Sequence, residues 1–170
     1  MTIYVDMDGV IVDFFGGLEK FTGVDHWKQI QNKEATLDSL KGTDFFYHLQ
    51  EFPTSQRLIY FVNKVSKGDW GINSSPLRGD RDNSAYWKRR WLEEHHMQPS
   101  SIERLIFTES KEKYAYSMFD GKPNILIDDK PENIKRWKDK GGIGIRYQAN
   151  EDDLEEYLFV ELEAALDELR

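Results

Sequence analysis

Ile3-Tyr4-Val5-Asp6-Met7-Asp8-Gly9-Val10 joins an apolar opening to two carboxylates and a glycine. It reads as a short buried strand that stops where the carboxylates begin. Asn124-Ile125-Leu126-Ile127-Asp128-Asp129 repeats the arrangement, an apolar run followed at once by a carboxylate pair. In an open parallel sheet the carboxyl ends of neighbouring strands face one crevice, so the two pairs are expected to meet although they lie far apart along the chain. Taken alone, Asp-x-Asp-Gly is also an ordinary solvated turn.

Two further strand ends strengthen the first reading. Ile72-Asn73-Ser74-Ser75-Pro76 puts consecutive hydroxyls after a short apolar stretch, and Lys111 and Lys113 follow the strand-like run Arg104-Leu105-Ile106-Phe107-Thr108. In chain order the strand ends carry a carboxylate pair, hydroxyls, a cation and a second carboxylate pair. Carboxylates brought that close raise one another's pKa unless a cation sits between them. A hard divalent ion with oxygen ligands suits the set, and Mg2+ fits best because it binds through one or two carboxylates, waters and a substrate phosphate. Zinc is disfavoured: the chain has no Cys and no paired histidine motif.

With 170 residues, the chain is long enough for one domain with a proper core and a small insertion. Without cysteine, disulfides are excluded. No apolar run approaches the roughly 18 residues that span a bilayer, and no signal peptide is visible at the N-terminus, so a cytoplasmic protein without a membrane partner is expected. The formal net charge of -8 argues against a nucleic-acid polymer as partner. A small anionic substrate remains compatible with that charge, given a metal and a local lysine. Oligomeric state is not legible here.

Strand-like runs at 2–5, 69–73, 103–108, 124–127 and 142–147 alternate with helix-like segments, which predicts an α/β fold with a parallel sheet flanked by helices. The spacing predicts helices over 53–67, over 84–95 with Trp87, Trp91 and Leu92 on one face, and after Pro131 up to the Gly141-Gly142 stop. From Phe14 to Phe52 the alternation lapses for far longer than a structureless loop allows. A small helical insertion over the crevice is expected there, including 16–22 and 27–40. The tail over 150–170 reads as an amphipathic helix, capped at Asn150, that packs on the core; a coiled-coil partner helix is the alternative.

Taken together, Asp6-Met7-Asp8-Gly9-Val10 with Asp13-Phe14, Asp44-Phe45-Phe46, Ser74-Ser75-Pro76-Leu77, Arg104-Leu105-Ile106 and Ile125-Leu126-Ile127-Asp128-Asp129-Lys130 resemble the four motifs of the haloacid dehalogenase (HAD) superfamily, most nearly its phage and bacterial 5'(3')-deoxyribonucleotidases. The resemblance implies a Rossmann-like core, over 1–14 and 53–170, with a small helical cap over 15–52 inserted after the first strand. It implies Asp6 as a nucleophile that forms an aspartyl-phosphate, and Asp8 as general acid and then base. Mg2+ would be held by Asp6, the carbonyl of Asp8, and Asp128 and Asp129, one directly and the other through water. Ser74 would donate to a phosphate oxygen, with Ser75 and backbone N–H groups at a helix start assisting. Both Lys111 and Lys113 qualify as the family's lysine; Lys111 is favoured because it stands three residues past Thr108. Phe14, Phe45 and Phe46 would line the nucleotide pocket, although a Phe-Phe pair is more often core.

The implied function is Mg2+-dependent hydrolysis of a (deoxy)nucleoside monophosphate. The alternatives are a phosphatase for another small phosphoester, and a scaffold that binds phosphate without turnover.

Overall fold

The computed structural model describes residues 1–170. Five short strands, β1 (Ile3–Val5), β2 (Trp70–Ser74), β3 (Leu105–Phe107), β4 (Ile125–Asp128) and β5 (Ile143–Arg146), form one sheet in the order β3-β2-β1-β4-β5. All neighbours are parallel; Val5 lies opposite both Ile72 and Ile127. The order reverses direction at β1, where β2 lies on one side and β4 on the other. That switch point is where an open α/β sheet leaves a crevice.

Side chains alternate across the sheet with the period of two that strands impose. Ile3, Val5, Ile72, Ile125 and Ile127 enter the larger core cluster, whereas Tyr4, Ile106 and Leu126 enter a smaller one on the opposite face. The larger cluster is closed by α3 (Ser55–Val65), α4 (Arg81–Glu94) and the C-terminal segment, through Leu58, Val62, Trp91, Leu92 and Leu158. The smaller is closed by Ile134 and Trp137 of α5 (Pro131–Asp139). With both faces covered, β1 and the first three residues of β4 are apolar throughout rather than alternating.

Between β1 and α3 the chain forms α1 (Phe14–Thr22), a 3-10 turn at Trp27–Gln29, α2 (Lys33–Ser39) and a second 3-10 turn at Phe45–His48. Asp13 starts α1 by accepting from Gly16 N (2.9 Å), and Gly23 ends it in the left-handed conformation (φ 75°). The expected continuous helix over 27–40 is split at Ile30–Asn32, because Asn32 caps a new helix by accepting from Ala35 N (3.0 Å). Trp91 Nε1 donates to Leu49 O (2.7 Å) and Ser55 Oγ to Ile11 O (2.7 Å), fastening the end of this segment to the core.

The tail differs from the expected α-helix capped at Asn150. Asp153 is the cap, accepting from Glu155 N (2.9 Å) and Glu156 N (2.7 Å), and Asn150 instead accepts from Gln148 Nε2. A π-helical stretch, Leu154–Phe159, precedes α6 (Val160–Glu168). No helix is long and apolar enough to cross a membrane.

Candidate active site

The ladder that closes the sheet also builds the site. Asp6 N donates to Ile127 O (2.9 Å), so Asp6 continues β1 and stands beside Asp128 at the end of β4. Beyond Asp6 the chain folds tightly, with Met7 O accepting from the backbone N–H groups of Val10, Ile11 and Val12. Gly9 is in the left-handed region (φ 82°), and a Cβ there would lie 2.4 Å from an Asp129 carboxylate oxygen. Only glycine lets this loop press against Asp129.

Asp6, Asp128 and Asp129 are all buried, and one oxygen from each lies within 4.8 Å of the others. Lys111 Nζ, also buried, bridges Asp6 Oδ1 (2.9 Å) and Asp128 Oδ2 (2.6 Å). Those carboxylates hold the Lys111 ammonium well above the ordinary lysine range, outweighing the opposing effect of burial. Burial, followed by the charge of Asp6, pushes Asp128 up to about 6 and Asp129 to about 8. Lys130 opposes the rise at Asp129 without cancelling it.

The remaining partners show where a cation fits. Asp128 is fully engaged: Oδ1 accepts from Lys130 N (2.9 Å), Oδ2 from Lys111, and both from Asn133 Nδ2. Asp129 Oδ1 is buried with no partner, as is Asp8 Oδ1. Asp6 Oδ1 accepts from Met7 N (2.8 Å) and Lys111, which leaves Oδ2 free. Orphaned carboxylate oxygens and an all-oxygen donor set fit a hard divalent ion such as Mg2+.

Ser74, fully buried at the end of β2, lies beside this cluster, and Ser75 follows it, half-buried. No helix starts directly at Ser75, where one was expected. Pro76 has no N–H, Leu77 N donates to Ser84 Oγ (2.9 Å), and α4 begins only at Arg81. Lys113 is exposed on the turn where Lys111 is buried. It lines a groove of about 680 Å³ along edge strand β3, with Leu77, Phe107 and Tyr114. None of Asp6, Asp8, Asp128 and Asp129 borders that groove.

Phe14, Phe45 and Phe46 pack on one another, Phe14 and Phe46 parallel at 6.0 Å and Phe45 edge-on to both. Phe46 is 5% exposed, whereas Phe14 and Phe45 are half-buried.

A second buried lysine was not anticipated from sequence. Lys88 Nζ donates to Asp8 Oδ2 (2.8 Å), Ser74 Oγ (3.0 Å) and Ser75 O (2.9 Å), and lies 4.8 Å from the Phe46 ring centroid. Its signal was its place: Ser84, Lys88, Trp91 and Leu92 form the buried stripe of α4, and a lysine there is rarely idle. Counting only apolar residues along the helix passes over it.

No family profile matches the chain. It is 25% identical over 153 residues to the mitochondrial 5'(3')-deoxyribonucleotidase of Mus musculus, a match that covers 78% of this chain. The match spans 66% of the length of that relative. Among solved structures, a HAD family hydrolase from Deinococcus radiodurans R1 with bound phosphate and sodium superimposes with a TM-score of 0.50 at 12% identity, covering 84% of this chain and 78% of that one. A HAD family enzyme from Bacteroides thetaiotaomicron, a magnesium complex, gives a TM-score of 0.49 at 15% identity, covering 89% and 94%.

Proposed function

We propose that this chain, which has the HAD fold and resembles a 5'(3')-deoxyribonucleotidase, is a Mg2+-dependent phosphatase that hydrolyses (deoxy)nucleoside monophosphates through an aspartyl-phosphate on Asp6. The observation that carries the reading is the gathering of three buried carboxylates, two of them bridged by Lys111, with the Ser74 hydroxyl at the next strand end.

In this reading Asp6 Oδ2, the oxygen without a partner, attacks phosphorus while Lys111 and Met7 N hold Oδ1. As the new bond to phosphorus forms, the bond to the nucleoside oxygen breaks, and its electron pair leaves with that oxygen. Asp8 Oδ1 supplies the proton the oxygen needs, and later takes one from the water that hydrolyses the acyl phosphate. Ser74 Oγ–H binds a phosphate oxygen. Asp6, Asp129 and the Asp8 carbonyl would hold Mg2+ directly, while Asp128 fixes Lys111. The ion supplies charge screening between the carboxylate nucleophile and the phosphate.

Residues 15–52 act as the cap over the crevice, and 1–14 with 53–170 as the core. Because Phe46 is buried against Lys88, the half-buried Phe14 and Phe45 are the rings left to meet a nucleoside. A phosphate-release screen across deoxynucleotides, ribonucleotides and sugar phosphates, with Mg2+ and with EDTA, tests the reading. Deoxynucleotide turnover in Mg2+ that EDTA stops and Asp6→Asn abolishes is expected. Turnover confined to sugar phosphates would remove the substrate assignment, and activity retained by Asp6→Asn would remove the mechanism.

A further inference from the structure

Lys88 is 1% exposed, yet no step above uses its ammonium. A buried cation carries a large desolvation cost and persists only where its partners offset it. Its partners here are unusually complete: an ammonium has three N–H donors, and Lys88 gives one each to Asp8 Oδ2, Ser74 Oγ and Ser75 O. The Phe46 ring lies against the same nitrogen at 4.8 Å, a cation–π contact. No N–H remains to meet a phosphate oxygen.

The two contacts from Ser74 and Ser75 anchor the nitrogen to the end of β2, and the third holds one oxygen of Asp8. With Oδ2 fixed, the free Oδ1 is the only Asp8 oxygen able to carry a proton to the departing group. Lys111 cannot replace it, because its contacts are with Asp6 and Asp128. The site has two buried lysines with separate duties.

Resting on the phosphatase reading above, we propose that Lys88 is a positioning residue: it clamps Asp8 Oδ2 so that Oδ1 faces the leaving oxygen, and it does not bind the phosphate. The P–O bond that breaks needs a proton on its oxygen when an alcohol departs. It needs none when a nitrophenolate departs. A residue that acts through Asp8 therefore matters for nucleotides and little for an aryl phosphate.

The test compares kcat/KM of wild type and Lys88→Met on a deoxynucleoside monophosphate and on p-nitrophenyl phosphate, with inorganic phosphate as competitive inhibitor. A loss of about a hundredfold on the nucleotide is expected, against less than about fivefold on the aryl ester, with phosphate inhibition unchanged. Equal losses on both substrates would mark a merely structural role, and weakened phosphate inhibition would mark a direct ligand; either overturns the proposal. Where Lys88→Met fails to fold, Asp8→Asn/Lys88→Met, which removes both charges, is compared with Asp8→Asn. Equal nucleotide turnover in those two supports the proposal, and a further tenfold fall in the double variant overturns it. A wild type that hydrolyses neither ester overturns the phosphatase reading, and this inference with it, which separates that failure from a failure of Lys88 alone.

Discussion

Replacing Lys111 with methionine keeps the length of the side chain and removes the one cation between Asp6 and Asp128. Removing one partner of a buried ion pair costs about 3–5 kcal/mol, because the other charge is left uncompensated. For a chain of this size each kcal/mol moves the melting temperature by about 2–4 °C, so Lys111→Met should melt roughly 6–20 °C below wild type in EDTA. The loss depends on pH through the carboxylates. Asp128 and Asp129 already have raised pKa values, about 6 and about 8, so below that window protons replace the missing ammonium, and above it the repulsion is complete. Lys111 itself does not titrate there: its folded pKa lies above the ordinary lysine value, so its contribution persists until the solution is strongly alkaline. Thermal melts of both proteins in EDTA should show a gap that widens from acid to mildly alkaline pH. Mg2+ at about a hundredfold over its Kd should return roughly 2.7 kcal/mol to the variant. A gap under about 2 °C, or one that does not change with pH, would refute the ion-pair argument.

Asp129→Asn removes a carboxylate whose ionisation is opposed by burial and by Asp6; without metal the variant should melt above wild type near neutral pH, and it should lose the stabilisation that Mg2+ gives. A variant still stabilised by Mg2+ as wild type is would remove Asp129 from the metal site. Asn73 is fully buried with both amide atoms unpartnered, so Asn73→Leu, of similar shape, should stabilise the fold by about 1–3 kcal/mol, read as a higher denaturation midpoint in urea. A lower midpoint would show that the amide has a partner such as a buried water.

Much of the scaffold was legible in sequence because β1 and β4 are buried on both faces, and a continuous apolar run that stops at carboxylates is hard to read otherwise. The same logic marked Asp6, Asp8, Asp128, Asp129 and Ser74, which stand at strand ends and need only the strand order to meet. Lys111 and Lys113 could not be separated by spacing alone: a 3-10 turn at Lys111–Tyr114 buries one and exposes the other. Lys88 was hidden because a lysine in a helix usually marks the solvated face, and its duty depends on Asp8, from which it is far in sequence. The cap at Asp153 was missed because Asn150, Asp152 and Asp153 all suit the start of the last helical segment, and only the backbone path decides among them.

In the proposed phosphatase Asp6 and Asp129 hold one magnesium ion and Asp6 takes the phosphoryl group. A crystal structure with Mg2+ and beryllium fluoride tests it most directly. The fluoride adduct is expected on Asp6 Oδ2, with the ion between Asp6 and Asp129 and the Ser74 hydroxyl on a fluorine. An adduct on another residue, or an ion bound away from Asp6 and Asp129, would contradict it.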